Sequence, residues 1–282
     1  MQSKFFTSGL AIVLGLTGVG TIGFPEEAVA QQQTSEIDTA IAKGRQLLRE
    51  GNANSYRKSI GYFEKALGLA RSSKAKDKQT LSLLYLGVLH NSLGEKQKAI
   101  EYYSQSLSIS RAVGDRRGEA TTLTDLGSVY YHSGEKQKAI EYFNQSLSIR
   151  RAVGDRHGEA TTLVNLGSAY RDLGENQKAI RYYNQSLPIL RAVGNRYTEA
   201  FVLNDIGLVL NSQEQPEPAI AAFKESINIY ESIRKDNQKL SRALRESYTK
   251  SIADKYQALA DLLIKQGRPA EAEAVLELLK IK

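Results

Sequence analysis

Three histidines, His90, His132 and His157, are the side chains in this 282-residue chain best suited to metal ligation or proton transfer near neutral pH. A zinc or acid-base centre needs such groups brought to one face, as the i, i+4 pair of an HExxH helix does. Here the three stand in different registers, in LGVLHNS, SVYYHS and GDRHGE, so the pattern assigns them to structure or solvent. A serine nucleophile requires a paired base and an oxyanion loop. The recurrent NQSLS segment supplies its serine, Ser146, on a repeated helical stretch with neither. The chain has no cysteine, which removes disulfides, thiolate metal sites and a cysteine nucleophile together. Its 22 glycines never form the GxxxxGK[ST] phosphate loop and recur as punctuation instead. The expectation is a non-enzymatic protein with no metal and no cofactor.

The glycines mark the elements that would position any site. GEKQKAIEYYSQSLSISRAVGDRRGEATTLTDLGSVYYHS, from Gly94 to Ser133, returns from Gly134 to Leu173 with about 30 of 40 positions identical, and a divergent third copy starts at Gly174. Self-similarity at this period means a stacked array in which no unit buries its apolar face alone. Within a unit, Leu123, Leu126, Gly127 and Tyr130 fall at i, i+3, i+4 and i+7, one face of a helix. Gly127 lets a facing helix approach closely. Gly134 then ends the helix in a left-handed cap, and a second helix buries Ala139, Ile140, Phe143 and Leu147. Gly154 ends that one, and Asp155 caps the next; Asp115 and Asn195 are its equivalents 40 residues either side.

Net charge is +7 and pI about 9.3, but basic residues are interleaved with glutamates rather than clustered. No block of like charge marks a nucleic-acid tail, so no nucleic-acid partner is expected. At the N-terminus, Lys4 precedes an uncharged apolar run from Phe5 to Phe24, and Ala28-Val29-Ala30 offers small residues before Gln31. Residues 1–30 therefore read as a signal peptide cleaved after Ala30, giving a periplasmic or secreted protein. The alternative is an uncleaved N-terminal membrane anchor, because about 20 uncharged residues suffice to span a bilayer; cleavage would leave no stable membrane insertion. Residues 31–36 read as a disordered leader.

The pattern of small and large residues at Leu126, Gly127, Tyr130, Ala139 and Phe143, with their copies, resembles the tetratricopeptide repeat. The resemblance spans roughly Ile37 to Lys282. It departs from the family in a period of 40 rather than about 34 and in a Gly-Asp turn where the family has proline. The longer second helix is similar to that of the kinesin-light-chain and bacterial variety. It implies an all-α fold, a right-handed α-solenoid of about six helix pairs. The units are a degenerate first repeat over 37–79, regular repeats over 80–119, 120–159 and 160–199, a repeat with an extended second helix over 200–252, and a terminal helix pair over 253–282.

The resemblance also implies that the first helix of each unit lines a concave groove that binds a protein or extended peptide. The lining residues would be Tyr85 in one unit and Thr121, Thr124, Asp125, Ser128, Tyr131 and His132 in the next. Thr161, Asn165, Ser168, Arg171 and Asp172 follow, and then Phe201, Asn204, Asp205 and Leu208. Tyr85, Asp125, Asn165 and Asp205 form a ladder spaced by 40, able to hydrogen-bond the backbone of an extended ligand. The competing reading is that these groups only keep the groove hydrated. Tyr131/Arg171 and His132/Asp172 differ between otherwise near-identical copies, which favours ligand contact. Arg111, Arg151 and Arg191, with Arg116, Arg156 and Arg196, lie near Glu119, Glu159 and Glu199 and read as structural ion pairs.

Two alternatives accompany groove binding. The apolar residues Ala274, Val275, Leu278 and Leu279 would leave an exposed end suited to self-association through the C-terminal helix. The C-terminal segment also resembles the stretch that joins repeats to a caspase-like CHAT peptidase domain in cyanobacterial-style proteins. That resemblance implies an accessory subunit for a separately encoded peptidase.

Overall fold

The computed structural model describes residues 26–239 and 241–280. Among the described residues, twelve α-helices follow one another as six antiparallel pairs. They are α1 (Glu26–Leu48) with α2 (Ala53–Ser72), α3 (Lys76–Ser92) with α4 (Lys96–Val113), and α5 (Arg116–His132) with α6 (Lys136–Ala152). Then come α7 (Arg156–Asp172) with α8 (Asn176–Ala192), α9 (Arg196–Ser212) with α10 (Pro216–Asp236), and α11 (Arg242–Lys265) with α12 (Pro269–Glu277). Each helix packs on the next in sequence, and the first helices of early pairs also touch one another, α1 with α3, α3 with α5 and α5 with α7. This is the α-solenoid expected from the repeats.

Glycine sets the spacing within the first five pairs. A Cβ built on Gly127 would lie 2.5 Å from the Phe143 ring, and one on Gly167 would lie 2.4 Å from the Tyr183 ring. Gly44 with Phe63, Gly87 with Tyr103 and Gly207 with Phe223 repeat the contact. In these five pairs the fully buried aromatic of the second helix thus rests on bare backbone of the first. The turn that follows is closed at Gly134, whose φ of 85° is open to glycine at little cost. There Glu135 N–H donates to Tyr130 C=O and Gly134 N–H to Tyr131 C=O, both at 3.0 Å, the paired bonds of a Schellman stop. Asp115, Asp155 and Asn195 accept from Gly118, Gly158 and Thr198 backbone N–H at 2.9, 3.0 and 3.2 Å, capping α5, α7 and α9 as expected.

Polar residues also stitch pair to pair. The NQSLS serine Ser146 is structural: it and its counterpart 80 residues on, Ser226, are buried and donate to the carbonyls of Ala120 and Ala200, at 2.8 and 2.7 Å. Lys96 and Lys136 reach forward to cap the ends of α5 and α7, at His132 C=O (2.7 Å) and Asp172 C=O (2.9 Å). Glu119 and Glu159 are buried and each bridges two arginines, Arg111 with Arg116 and Arg151 with Arg156. Arg191 holds Glu199 at 2.6 Å, but Arg196 leaves the ladder for Asp236 at 2.7 Å.

Several boundaries differ from the sequence expectation. Most of the expected signal segment, residues 1–25, lies outside the described residues; Glu26–Ala30 begin α1. Residues 31–36 are helical rather than disordered, because Gln, Thr, Ser and Glu there are joined to the helix that buries Ile37. Gln32 pairs with Glu36 at 3.2 Å and Thr39 Oγ1 donates to Ser35 C=O at 2.8 Å, one turn apart. The last break falls at a short 3-10 turn over Asn237–Lys239, and α11 then starts at Arg242. The boundary drawn at 253 therefore cuts α11, whose first turns continue the same apolar face through Ile252 and Tyr256. In α12 and the turn after it, Ala272 is buried and Val275 and Leu279 pack on the core; Leu278 remains 39% exposed.

Candidate functional site

Side chains of the first helices line a cavity of about 240 Å³ between the third and fifth pairs. Ser128, Tyr131 and His132 of α5, Asn165, Ser168 and Arg171 of α7, and Phe201 of α9 surround it, all expected groove residues. Phe143 and Val164 complete its wall. Among the described residues, no group of three or more His, Asp or Glu is arranged to hold a metal ion. His90 is buried against Tyr102 with Nδ1 2.8 Å from Glu95, His132 meets the edge of Tyr131, and His157 is exposed at the start of α7.

Three expected groove residues are buried instead. Thr124 lies on the same face as Ala120 and Gly127, one turn from each, and is tied to Ala120 C=O (3.0 Å) and Ser146 Oγ (2.8 Å). Asn204 is its copy in α9 and is 3% exposed. Asp205 is 2% exposed. Thr121 and Thr161 face outward but turn their hydroxyls back to the carbonyls of Arg117 and His157 in their own helices. Leu208 is exposed, and Tyr85 stacks on Phe63 with ring centroids 4.6 Å apart.

The positions that differ between copies meet one another. Tyr131 Oη donates to Asp172 Oδ2 at 2.5 Å, and Arg171 donates to Asp172 Oδ1 through Nε (3.2 Å) and Nη2 (3.1 Å). Arg171 Nη1 also donates to Asp205, whose Oδ2 accepts from Tyr183 Oη at 2.8 Å. Tyr183 Oη lies 3.1 Å from Ser168 Oγ. Divergence at 131, 171 and 172 has therefore built a network joining three successive first helices. Burial pushes the Asp205 carboxyl up despite Arg171, and burial with the Asp172 bond pushes the Tyr131 phenol up to about 12. The partners at Tyr131 and Arg171 hold Asp172 below the usual carboxylate range, against its own burial.

Asp125 and Asn165, the two middle rungs, differ from Asp205. Both are half-buried toward the groove, and among the described residues neither side chain makes a hydrogen bond or ion pair. The position 34 residues before Asp205 is Arg171; before Asp125 it is the uncharged Asn91. Burial pushes the Asp125 carboxyl up to about 7, opposed only by the charge of Arg150, which is itself committed to Asp155. The floor beneath each rung comes from the second helix, 22 residues earlier: Phe63, Tyr103, Phe143 and Tyr183 under Tyr85, Asp125, Asn165 and Asp205. That floor escaped the sequence reading, although tyrosine accompanies each aspartate rung and phenylalanine the asparagine rung.

A model of the tetratricopeptide repeat matches residues 79–152 and 153–232, more than half of the chain. Among curated protein sequences none matches. Solved structures with the same fold include BtubC (BKLC) from P. vanneervenii, 18% identical with a TM-score of 0.60 over 88% of this chain and 89% of that one. The apo form of RapI is 17% identical, TM-score 0.64, over 86% and 96%. The nearly identical TPR-like repeats of a Podosopora anserina kinesin light chain are 17% identical, TM-score 0.55, over 72% and 93%. With its glycine-spaced helix pairs, its Schellman stops and the matched repeats, the chain belongs to the tetratricopeptide repeat family.

Proposed function

We propose that the protein is an exported, non-enzymatic scaffold that grips an extended peptide of a partner protein along the groove of its first helices. Tetratricopeptide repeat domains are generally protein-binding scaffolds. The observation that carries the reading to this groove is the pair of unsatisfied rungs, Asp125 and Asn165, beside a cavity of about 240 Å³. A half-buried carboxylate or amide without a partner is costly, and a ligand's backbone N–H and C=O groups relieve that cost. Helices packed about 8–10 Å apart and a chain advancing about 3.3 Å per residue give about three ligand residues per repeat. Adjacent rungs then meet groups one repeat apart on the same strand of ligand.

The test uses peptides selected by the full chain from a random extended library, with Kd measured by fluorescence polarisation. D125A/N165A is expected to weaken selected peptides about tenfold or more, since two hydrogen bonds are removed. Unchanged Kd would sink groove recognition. Asp205 is unsuitable for this test because its loss opens the Arg171 network. Export is tested separately: N-terminal sequencing of protein from the exported fraction should begin at Gln31, and a start upstream of Phe5 would support the anchored form instead. Self-association through the C-terminal helix has less surface to draw on, as Ala272 and Val275 of α12, and Leu279 just after it, face the core.

A further inference from the structure

The period breaks after α10, and a second cavity forms at the break. α10 runs to 21 residues where α6 and α8 have 17. Its extra turn, the first turns of α11 and the end of α12 enclose about 440 Å³. Donors outnumber acceptors there. Glu231 is fully committed, Oε2 to Arg234 Nη2 at 2.7 Å and Oε1 to Tyr256 Oη at 2.5 Å. Arg234 also donates to Leu278 C=O, and Glu277 is paired with Lys280.

Three lining groups are left over. Arg245 has its Nε buried without an acceptor, and its guanidinium has no carboxylate partner among the described residues. Thr249 is 6% exposed, and its Oγ1 has no hydrogen-bond partner. Lys235 likewise lines the cavity without an ion pair among the described residues. Arg245 Nε and Thr249 Oγ1 are buried donors, which are normally satisfied, whereas Lys235 is exposed. Two unneutralised positive charges, one of them a planar fork, beside a hydroxyl match an oxyanion of charge near −2. The cavity volume lies in the range of small-molecule sites, which leaves room for more than a bare anion.

We propose that the cavity between α10, α11 and α12 binds a small phosphate monoester, its phosphoryl oxygens held by Arg245, Lys235 and Thr249. Isothermal titration calorimetry of the full chain tests this with glycerol 3-phosphate, inorganic phosphate and acetate as probes. Glycerol 3-phosphate should bind at least tenfold more tightly than acetate and no more weakly than inorganic phosphate. R245Q should weaken it at least tenfold, R245K should recover part of the loss, and T249V should weaken it about threefold or more. K58Q, which removes an exposed charge on α2, should leave binding unchanged and so separates a site from the general attraction of a basic protein. T249V preserves shape and keeps the test open should R245Q fail to fold, as judged by circular dichroism. Equal affinity for acetate, binding of inorganic phosphate with exclusion of the ester, or equal losses in R245Q and K58Q would each overturn the proposal.

Discussion

Asp125 and Asp205 occupy the same position of two repeats, each 22 residues after a tyrosine of the second helix, yet they have opposite surroundings. Asp205 is sealed, with Arg171 and Tyr183 on its carboxylate. Asp125 faces the groove, and Tyr103 beneath it makes no hydrogen bond to it among the described residues. Among the differences between the two repeats, arginine at 171 against asparagine at 91 is the one that bonds the carboxylate. A repeat position is thus structural or available depending on the residue the neighbouring repeat extends over it.

The contrast can be broken most severely at the sealed rung. D205A should destabilise the chain by about 2–4 kcal/mol in urea unfolding, because it leaves Arg171 and Tyr183 without their shared acceptor; the value sits low because Arg171 keeps Asp172. D125A, by comparison, should cost little or nothing. Next in size, G167A and G87A both force a Cβ into a tyrosine ring, at 2.4 and 2.5 Å, with an overpacking cost of about 1–3 kcal/mol each. G167A should cost more, since displacing Tyr183 also strains its bond to Asp205. Equal losses would show that the network follows the ring without resistance.

Asp125 gives the effect of opposite sign. Its folded carboxyl holds a proton up to about pH 7, whereas an unfolded aspartate releases it near pH 3.9. The folded state therefore binds more protons between those values and loses stability as pH rises through the window. D125N should flatten this slope and stabilise the unliganded chain by about 1–3 kcal/mol at pH 8, a range reduced for the residue's partial contact with solvent. A steeper slope in D125N would refute the assignment. Smallest of all, Y183F should cost about 1 kcal/mol by losing the hydroxyl bond to Asp205, and Y103F should be near neutral.

The helix pairs were legible in the sequence because their causes are local and repeated. Glycine at 134 and its copies and the Asp or Asn caps act within a turn or two of chain, and glycine at 127 and its copies act between the two helices of one pair. Residues 31–36 and the boundary near 253 were less legible: a polar segment beside a buried Ile37, and a helix that starts before its apolar pattern becomes regular, are decided by what packs on them. The groove was legible as a surface and less so as a set of contacts. Thr124, Asn204 and Asp205 sit at the edge of the buried face, where a rotation of a few tens of degrees moves a side chain between core and groove.

Sequence alone determined the repeat, its helical period and the residues that start and stop each helix, since those depend on neighbours a few positions away. Tertiary structure decided which polar groups are free. Whether Asp125 or Asp205 keeps an open carboxylate, and whether Arg245 and Thr249 find acceptors, depends on side chains reaching across from other helix pairs, at separations of 34 residues for Arg171 and Asp205. A charge is neutralised by what lies within a few ångströms in space, whatever its distance along the chain.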